Sequence, residues 1–290
     1  MDREKLYTLV KRSPELVDRH DREGWLGLFS TEAVVEDPEG AGLNRKGKDW
    51  RGDRDGLSRF YDIFIAPNDI KFTVNQDIVT DSEVVRDVLI NTRLPNGAVS
   101  EVAAYLIYRG VEEGREVKLA SLQAHWDFKG NALRLLRNNG MKGIIASMAQ
   151  FWNMLRIQGL KRVMEYLGAL YKGIFKKGTA AVSSFAAAVN AGDEAGLARL
   201  CEPDAKIEFP AGKRIPASDF LKGEGKGLRL EVSGLRSAGW YTSCAFDAQG
   251  GGVRRHGVAF FQFNLKTKKI VSARFFYQSQ ARQNSAKPEG

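Results

Sequence analysis

At 290 residues, 43% of them hydrophobic, the chain is long enough for two ordinary domains with proper cores and too apolar to be disordered as a whole. Its net charge of +9 carries no basic run interleaved with aromatics and no binding motif, so a nucleic-acid partner is not expected; the segment from Met141 to Lys177 alone holds seven Lys/Arg against Glu165. No run approaches the ~18 apolar residues of a membrane span. The charged opening Met1-Asp2-Arg3-Glu4-Lys5 leads into no signal-like stretch, and Cys201 and Cys244 are too few for a disulfide scaffold, so reduced thiols and a cytoplasmic location are expected.

In chain order, Val17 to Gly40 reads as a helix, a Gly/Asp break, a second short helix and a short strand ending at Pro38. A helical pattern from about Asp53 to Ile65 precedes four stretches rich in Val, Ile and aromatics: Ile70 to Asn75, Glu83 to Thr92, Val99 to Arg109 and Glu116 to Phe128. Asn96-Gly97 and Glu112-Glu113-Gly114 are hairpin signals between them. Ala132 to Phe175 places apolar residues such as Ile145, Met148, Trp152, Leu155 and Val163 at helical spacing, with Gly159, Gly168 and Gly173 as breaks. Strands then recur at Gly227 to Val232, Trp240 to Asp247, Val253 to Leu265 and Lys268 to Gln278. Gly250-Gly251-Gly252 is a turn between two of them and lacks the Lys-Ser/Thr of a phosphate cradle.

A shift of 172 positions superposes Val17–Gly40 on Val189–Gly212 with eight identities, among them Asp21/Asp193, Gly24/Gly196, Glu36/Glu208, Pro38/Pro210 and Gly40/Gly212. Lys118-Leu119-Ala120-Ser121 recurs as Lys269-Ile270-Val271-Ser272. Two diverged copies explain both. Helices first and hairpins later predict an α+β fold, with a domain over 1–128, an amphipathic helical linker over 129–177, a second domain over 178–282 and a flexible tail over 283–290.

Phe29-Ser30-Thr31-Glu32-Ala33-Val34-Val35-Glu36-Asp37-Pro38 resembles the segment of ketosteroid isomerases that carries their catalytic aspartate, and Asp37 falls on that residue. Phe60-Tyr61 is similar to the family's Phe-Tyr pair and Leu122-Gln123-Ala124-His125-Trp126 to its last strand. The resemblance, shared with nuclear transport factor 2-like and SnoaL-like proteins, implies two cone-shaped units, each a curved antiparallel sheet wrapped by helices. It also implies an aspartate base that moves a proton next to a ketone while oxyanion donors stabilise the dienolate. The family's tyrosine donor falls on Ser13 and its protonated aspartate on Ala104; in the second copy Phe185 and Phe209 stand at the tyrosine and the base and Ala259 at the second donor.

Asp37 is therefore the candidate base, with a pKa expected to be raised by apolar surroundings, since no Lys or Arg occurs between Ser30 and Asn44. Ser13, Tyr61, Ala104, Tyr105 and Trp126 are the candidate ligand-binding positions. His125 and Trp126 adjoin on a strand and face opposite ways, so Trp126 is assigned to the cavity. His20, His125 and His256 show no ligand spacing, and neither a metal nor a cofactor is expected. Two functions stay open: an isomerase, dehydratase or cyclase acting on a steroid- or polyketide-like carbonyl compound, or a hydrophobic-ligand binding protein without chemistry. The expected partner is a small hydrophobic ligand; a membrane surface met by the 141–177 helices and a homodimer also stay open. Arg51-Gly52-Asp53 is read as a chance match to an adhesion tripeptide.

Overall fold

The computed structural model describes residues 1–47 and 55–280. Arg51-Gly52-Asp53, the expected helix start at Asp53 and the expected 283–290 tail lie outside the described residues. The chain divides into two compact units, Met1–Gly173 with Arg236–Trp240, and Ile174–Leu235 with Tyr241 onward.

The first unit opens with α1 (Arg3–Asp18) and α2 (Arg22–Gly27). Asp2 caps α1 by accepting from Glu4 and Lys5 backbone N–H groups, and Leu6, Val10, Ser13 and Val17 form its buried face. Next come β1 (Phe29–Glu36), β2 (Asn44–Arg45) and α3 (Gly56–Phe60), which continues as a π-helical turn over Tyr61–Ile65. Four long strands follow, β3 (Asp69–Val79), β4 (Glu83–Arg93), β5 (Val99–Glu113) and β6 (Glu116–His125). The sheet order is β2-β1-β6-β5-β4-β3. Bulges near Val74, Arg109 and the start of β1 bend the strands, and α1 packs across β3, β4 and β6.

Three helices complete this unit: α4 (Phe128–Asn139), α5 (Met141–Gln158) and α6 (Leu160–Gly168). They were expected as a linker between the copies; instead they belong to the first unit, because polar clamps and an apolar face tie them to its sheet. Asn139 makes a two-way bond to Val99, accepting from its N–H at 2.8 Å and donating to its C=O at 2.9 Å. Arg162 of α6 donates to the carbonyls of Ala41 and Gly42 and to Asn44 Oδ1, just beyond β1. The expected break at Gly159 is present, with positive φ, and Gly140 supplies another.

The second unit repeats the plan: α7 (Phe175–Ala191), α8 (Glu194–Leu200), β7 (Cys201–Glu208), β8 (Arg214–Pro216), α9 (Ala217–Phe220), then β9 (Arg229–Ala238), β10 (Tyr241–Gly250), β11 (Val253–Phe263) and β12 (Ile270–Gln280). Its sheet order is β8-β7-β12-β11-β10-β9. Both sheets are mixed and not purely antiparallel, since β1 runs parallel to β6 and β7 parallel to β12. The first strand of each unit arrives from the helices rather than from a hairpin, so nothing ties it to antiparallel pairing. The hairpins signalled at Asn96-Gly97, at Gly114 and at Gly250–Gly252 all join adjacent strands.

The internal repeat has a physical cause at several of its identical pairs. Asp21 and Asp193 cap α2 and α8 by accepting from the N–H of Gly24 and Gly196. A Cβ at either glycine would collide with that carboxylate. Glu36 and Glu208, both buried, accept from Gly40 and Gly212 N–H at 2.9 Å, and both glycines hold positive φ. The Asp37-Pro38 and Phe209-Pro210 peptides are both cis. Cys201 and Cys244 are buried in the second core and are not joined in a disulfide.

Candidate functional site

Inside the first unit lies a cavity of about 370 Å³, within the usual range of ~300–1,000 Å³ for ligand pockets. Its floor is the inner sheet face, where period-2 alternation aims Val102, Leu106 and Tyr108 of β5 and Leu122 of β6 the same way. Ser13 of α1 and Phe60 of α3 close one side. Met154 of α5 and Val163 and Tyr166 of α6 close another, so the central helices are part of the wall. In the second unit the corresponding interior is filled by phenylalanine rings. Phe185 and Phe209, which replace Ser13 and Asp37, pack against Phe261 and Phe275 at 5.1 and 5.3 Å between centroids, and Phe246 meets Phe275 at 5.0 Å.

Asp37 follows β1 and lines the cavity. Trp126 Nε1 donates to its Oδ1 at 2.7 Å. Part of Asp37 is open to the cavity, while protein atoms close around the carboxyl and desolvate it. Burial raises its pKa from 3.8 to about 6; the Trp126 bond opposes that rise, since it favours the charged form. The carboxyl is thus poised near neutrality, with no ion pair to a cation among the described residues.

Two phenols share the cavity with it. Tyr108 is held above the ordinary phenol range by burial, with Arg86 and a hydrogen bond from Ser13 acting the other way. Ser13 in turn accepts from Trp25 Nε1 at 3.2 Å. Tyr166 is likewise raised, by burial and then by the charge of Asp37. Both phenols stay protonated at neutral pH and can donate hydrogen bonds. Among the other polar lining groups, Asn68 donates to Phe64 O, Asn131 to Ser100 Oγ and Gln150 to Ile63 O, while Asn68 Oδ1 is buried without a hydrogen-bond partner among the described residues. Trp126, Phe128 and Tyr166 form an edge-to-face series with centroids 5.4 and 4.9 Å apart, which fixes the rings beside Asp37.

Of the residues singled out from sequence, Asp37, Ser13 and Trp126 line the cavity. Ala104 is buried on the same sheet face, between Val102 and Leu106 and beneath the lining. Tyr105 and Tyr61 are corrections. Tyr105 lies opposite His125 on the other face of the sheet, because its neighbours Ala104 and Leu106 take the inner one. Tyr61 sits in the π-helical turn and packs into the core with its ring 5.6 Å from Trp25, not against the cavity. His125 is buried, and burial lowers its pKa to about 3, so it is neutral at pH 7. Sequence reasoning missed Tyr108 and Tyr166. The alternation through Ala104 and Leu106 marks Tyr108; nothing local marks Tyr166, whose helix reads as a linker.

A bent sheet packed over helices, with an apolar cavity holding one near-neutral carboxyl, defines a cone-type α+β unit, which the chain carries as two diverged copies. Solved structures of the ketosteroid isomerase-like kind are similar to roughly half of this chain. A Δ5-3-ketosteroid isomerase from Mycobacterium sp. is 27% identical, with 42% of this chain and 93% of that one covered and a TM-score of 0.34. A Mycobacterium tuberculosis protein in complex with estradiol-17β-hemisuccinate is 24% identical over 43% of this chain and 95% of its own, with a TM-score of 0.35. An epoxide hydrolase/cyclase-like enzyme of pyran ring formation in salinomycin is 16% identical over 44% and 94%, with a TM-score of 0.37. No protein-family profile and no curated protein matches the chain in sequence.

Proposed function

We propose that the first unit binds a steroid- or polyketide-like carbonyl compound and moves a proton at carbon beside the carbonyl, with Asp37 as the base. The observation that carries this reading is a carboxyl facing an apolar cavity with its pKa raised to about 6. Such a group accepts a proton near neutral pH and returns it readily, as a shuttle between two carbons requires. Abstraction would leave an enolate whose oxygen needs donors, and the neutral phenols of Tyr108 and Tyr166 supply O–H groups inside a desolvated site. They take over the task of the family positions now occupied by Ser13 and Ala104. Trp126 orients the carboxylate and steadies it when charged. The second unit, with phenylalanine at the base position, serves as a structural partner.

Ligand binding without turnover is the second reading, favoured by Ser13 and Ala104 standing where the family's donors would be. Deuterium wash-in from heavy water into a bound steroid ketone separates the two. Wild type should exchange, and Asp37→Asn should lose exchange by at least ~10³-fold with binding nearly intact, since the amide keeps the shape but cannot accept the proton. Equal exchange in both proteins, or none in either, would remove Asp37 as a base and leave the binding reading.

A further inference from the structure

The outer face of the central helices carries what the mechanism does not use. On α5, Met141, Ile144, Ile145, Met148 and Trp152 form one stripe at helical spacing and are between 45% and 69% exposed. Leu133 of α4 is 61% exposed and Leu160 of α6 62%, on helices that pack against α5. Monomeric proteins rarely leave so many large apolar side chains together in water.

Charge says what should cover them. From Phe128 to Gln158 the helices hold Lys129, Arg134, Arg137, Lys142 and Arg156, all exposed, and no acidic residue; Glu165 is the only acid before Lys177. A second copy meeting this face across a two-fold axis would set like charges against one another, whereas an anionic surface would complement them. No helix among the described residues is long and apolar enough to cross a membrane, so this face suits a surface seat.

We propose that the outer face of α4–α6 docks on an anionic lipid bilayer, with the α5 stripe seated among the headgroups and the flanking Lys/Arg on the acidic lipids. The inner faces of the same helices wall the cavity through Phe151, Met154 and Tyr166. A ligand that partitions into bilayers would then meet the protein at the wall of its own pocket. The docking stands apart from the proton-transfer reading, and its test involves no ligand and no turnover.

The test is co-sedimentation of the full chain with phosphatidylcholine vesicles and with vesicles containing about one part in three phosphatidylglycerol, at low and high salt. Apparent affinity for the anionic vesicles should exceed that for neutral ones by about tenfold or more and fall as salt rises. Met148→Ser with Trp152→Ser should weaken binding about tenfold, as should Arg134→Glu with Lys142→Glu. All four side chains are exposed, so far-UV spectra and thermal midpoints should match wild type and show that the variants fold. Sedimentation indifferent to vesicle charge, or none, would overturn the proposal. So would a dimer in sedimentation velocity that the α5 substitutions dissolve while wild type ignores anionic vesicles, since the face would then cover a second copy.

Discussion

Asp37 and its neighbours carry the chemistry, and each makes a separable contribution. Tyr108→Phe and Tyr166→Phe remove one hydroxyl apiece from a largely apolar cavity, so each should lower the exchange rate of a bound ketone by ~10–10³-fold while ligand affinity changes little. Rates unchanged in both variants would show that neither phenol meets the oxyanion. Asp37 also bears on stability. Its pKa is about 6 in the folded chain against 3.8 for the ordinary side chain, so between those values the native state keeps a proton that the unfolded state has lost. The carboxyl's contribution is therefore full below pH 4 and is lost as pH rises through 6. Asp37→Asn should be more stable than wild type by about 1–3 kcal/mol at pH 7.5, the lower end reflecting the opening to the cavity, with the gain vanishing near pH 3.5. Chemical denaturation at the two pH values checks this.

At the scale of elements, much was legible because local chemistry writes it plainly. The Asp-x-x-Gly starts of α2 and α8, the hairpin glycines and the repeat itself announce their structures, and Asp37, Ser13 and Trp126 could be singled out from the residues around them. Where a decision rested on the face of an element, the reading failed: Tyr105 was one residue out of the alternation that Tyr108 satisfies, and the turn at Tyr61–Ile65 is π-helical, which rotates Tyr61 into the core. Tyr166 was beyond reach, because only tertiary packing brings α6 to the cavity. The two N-caps give a test of the repeat. Gly24→Ala and Gly196→Ala would each drive a methyl into the capping carboxylate and should cost about 1 kcal/mol, despite the usual helical preference for Ala. Gly27→Ala in the same short α2, where nothing lies within 4 Å, should be neutral or stabilising by ~0.5–1 kcal/mol. If all three variants gained stability, the caps would not be what the repeat conserves.

At the scale of the whole molecule one plan is used twice, with a cavity of about 370 Å³ inside the first copy and a phenylalanine-rich core in the second. Phenylalanines at the Ser13 and Asp37 positions fill the second interior with an edge-to-face aromatic core, and against its burial the Gly212 N–H, with Arg214 and Arg274, holds Glu208 down to about 2. In the first unit the equivalent Glu36 has the buried Glu39 beside it, and burial together with Glu36 pushes Glu39 up. One copy has a packed aromatic interior, while the other keeps a cavity and an acid, held by Trp126, facing into it. That contrast depends on the ionisation of Asp37, which a carboxyl-carbon NMR titration of wild type, with Asp37→Asn to assign the resonance, reads directly. The account predicts a midpoint near pH 6. A midpoint near 3.8, the ordinary aspartate value, would contradict it, because a carboxyl at home in water could not be the poised base of an apolar cavity.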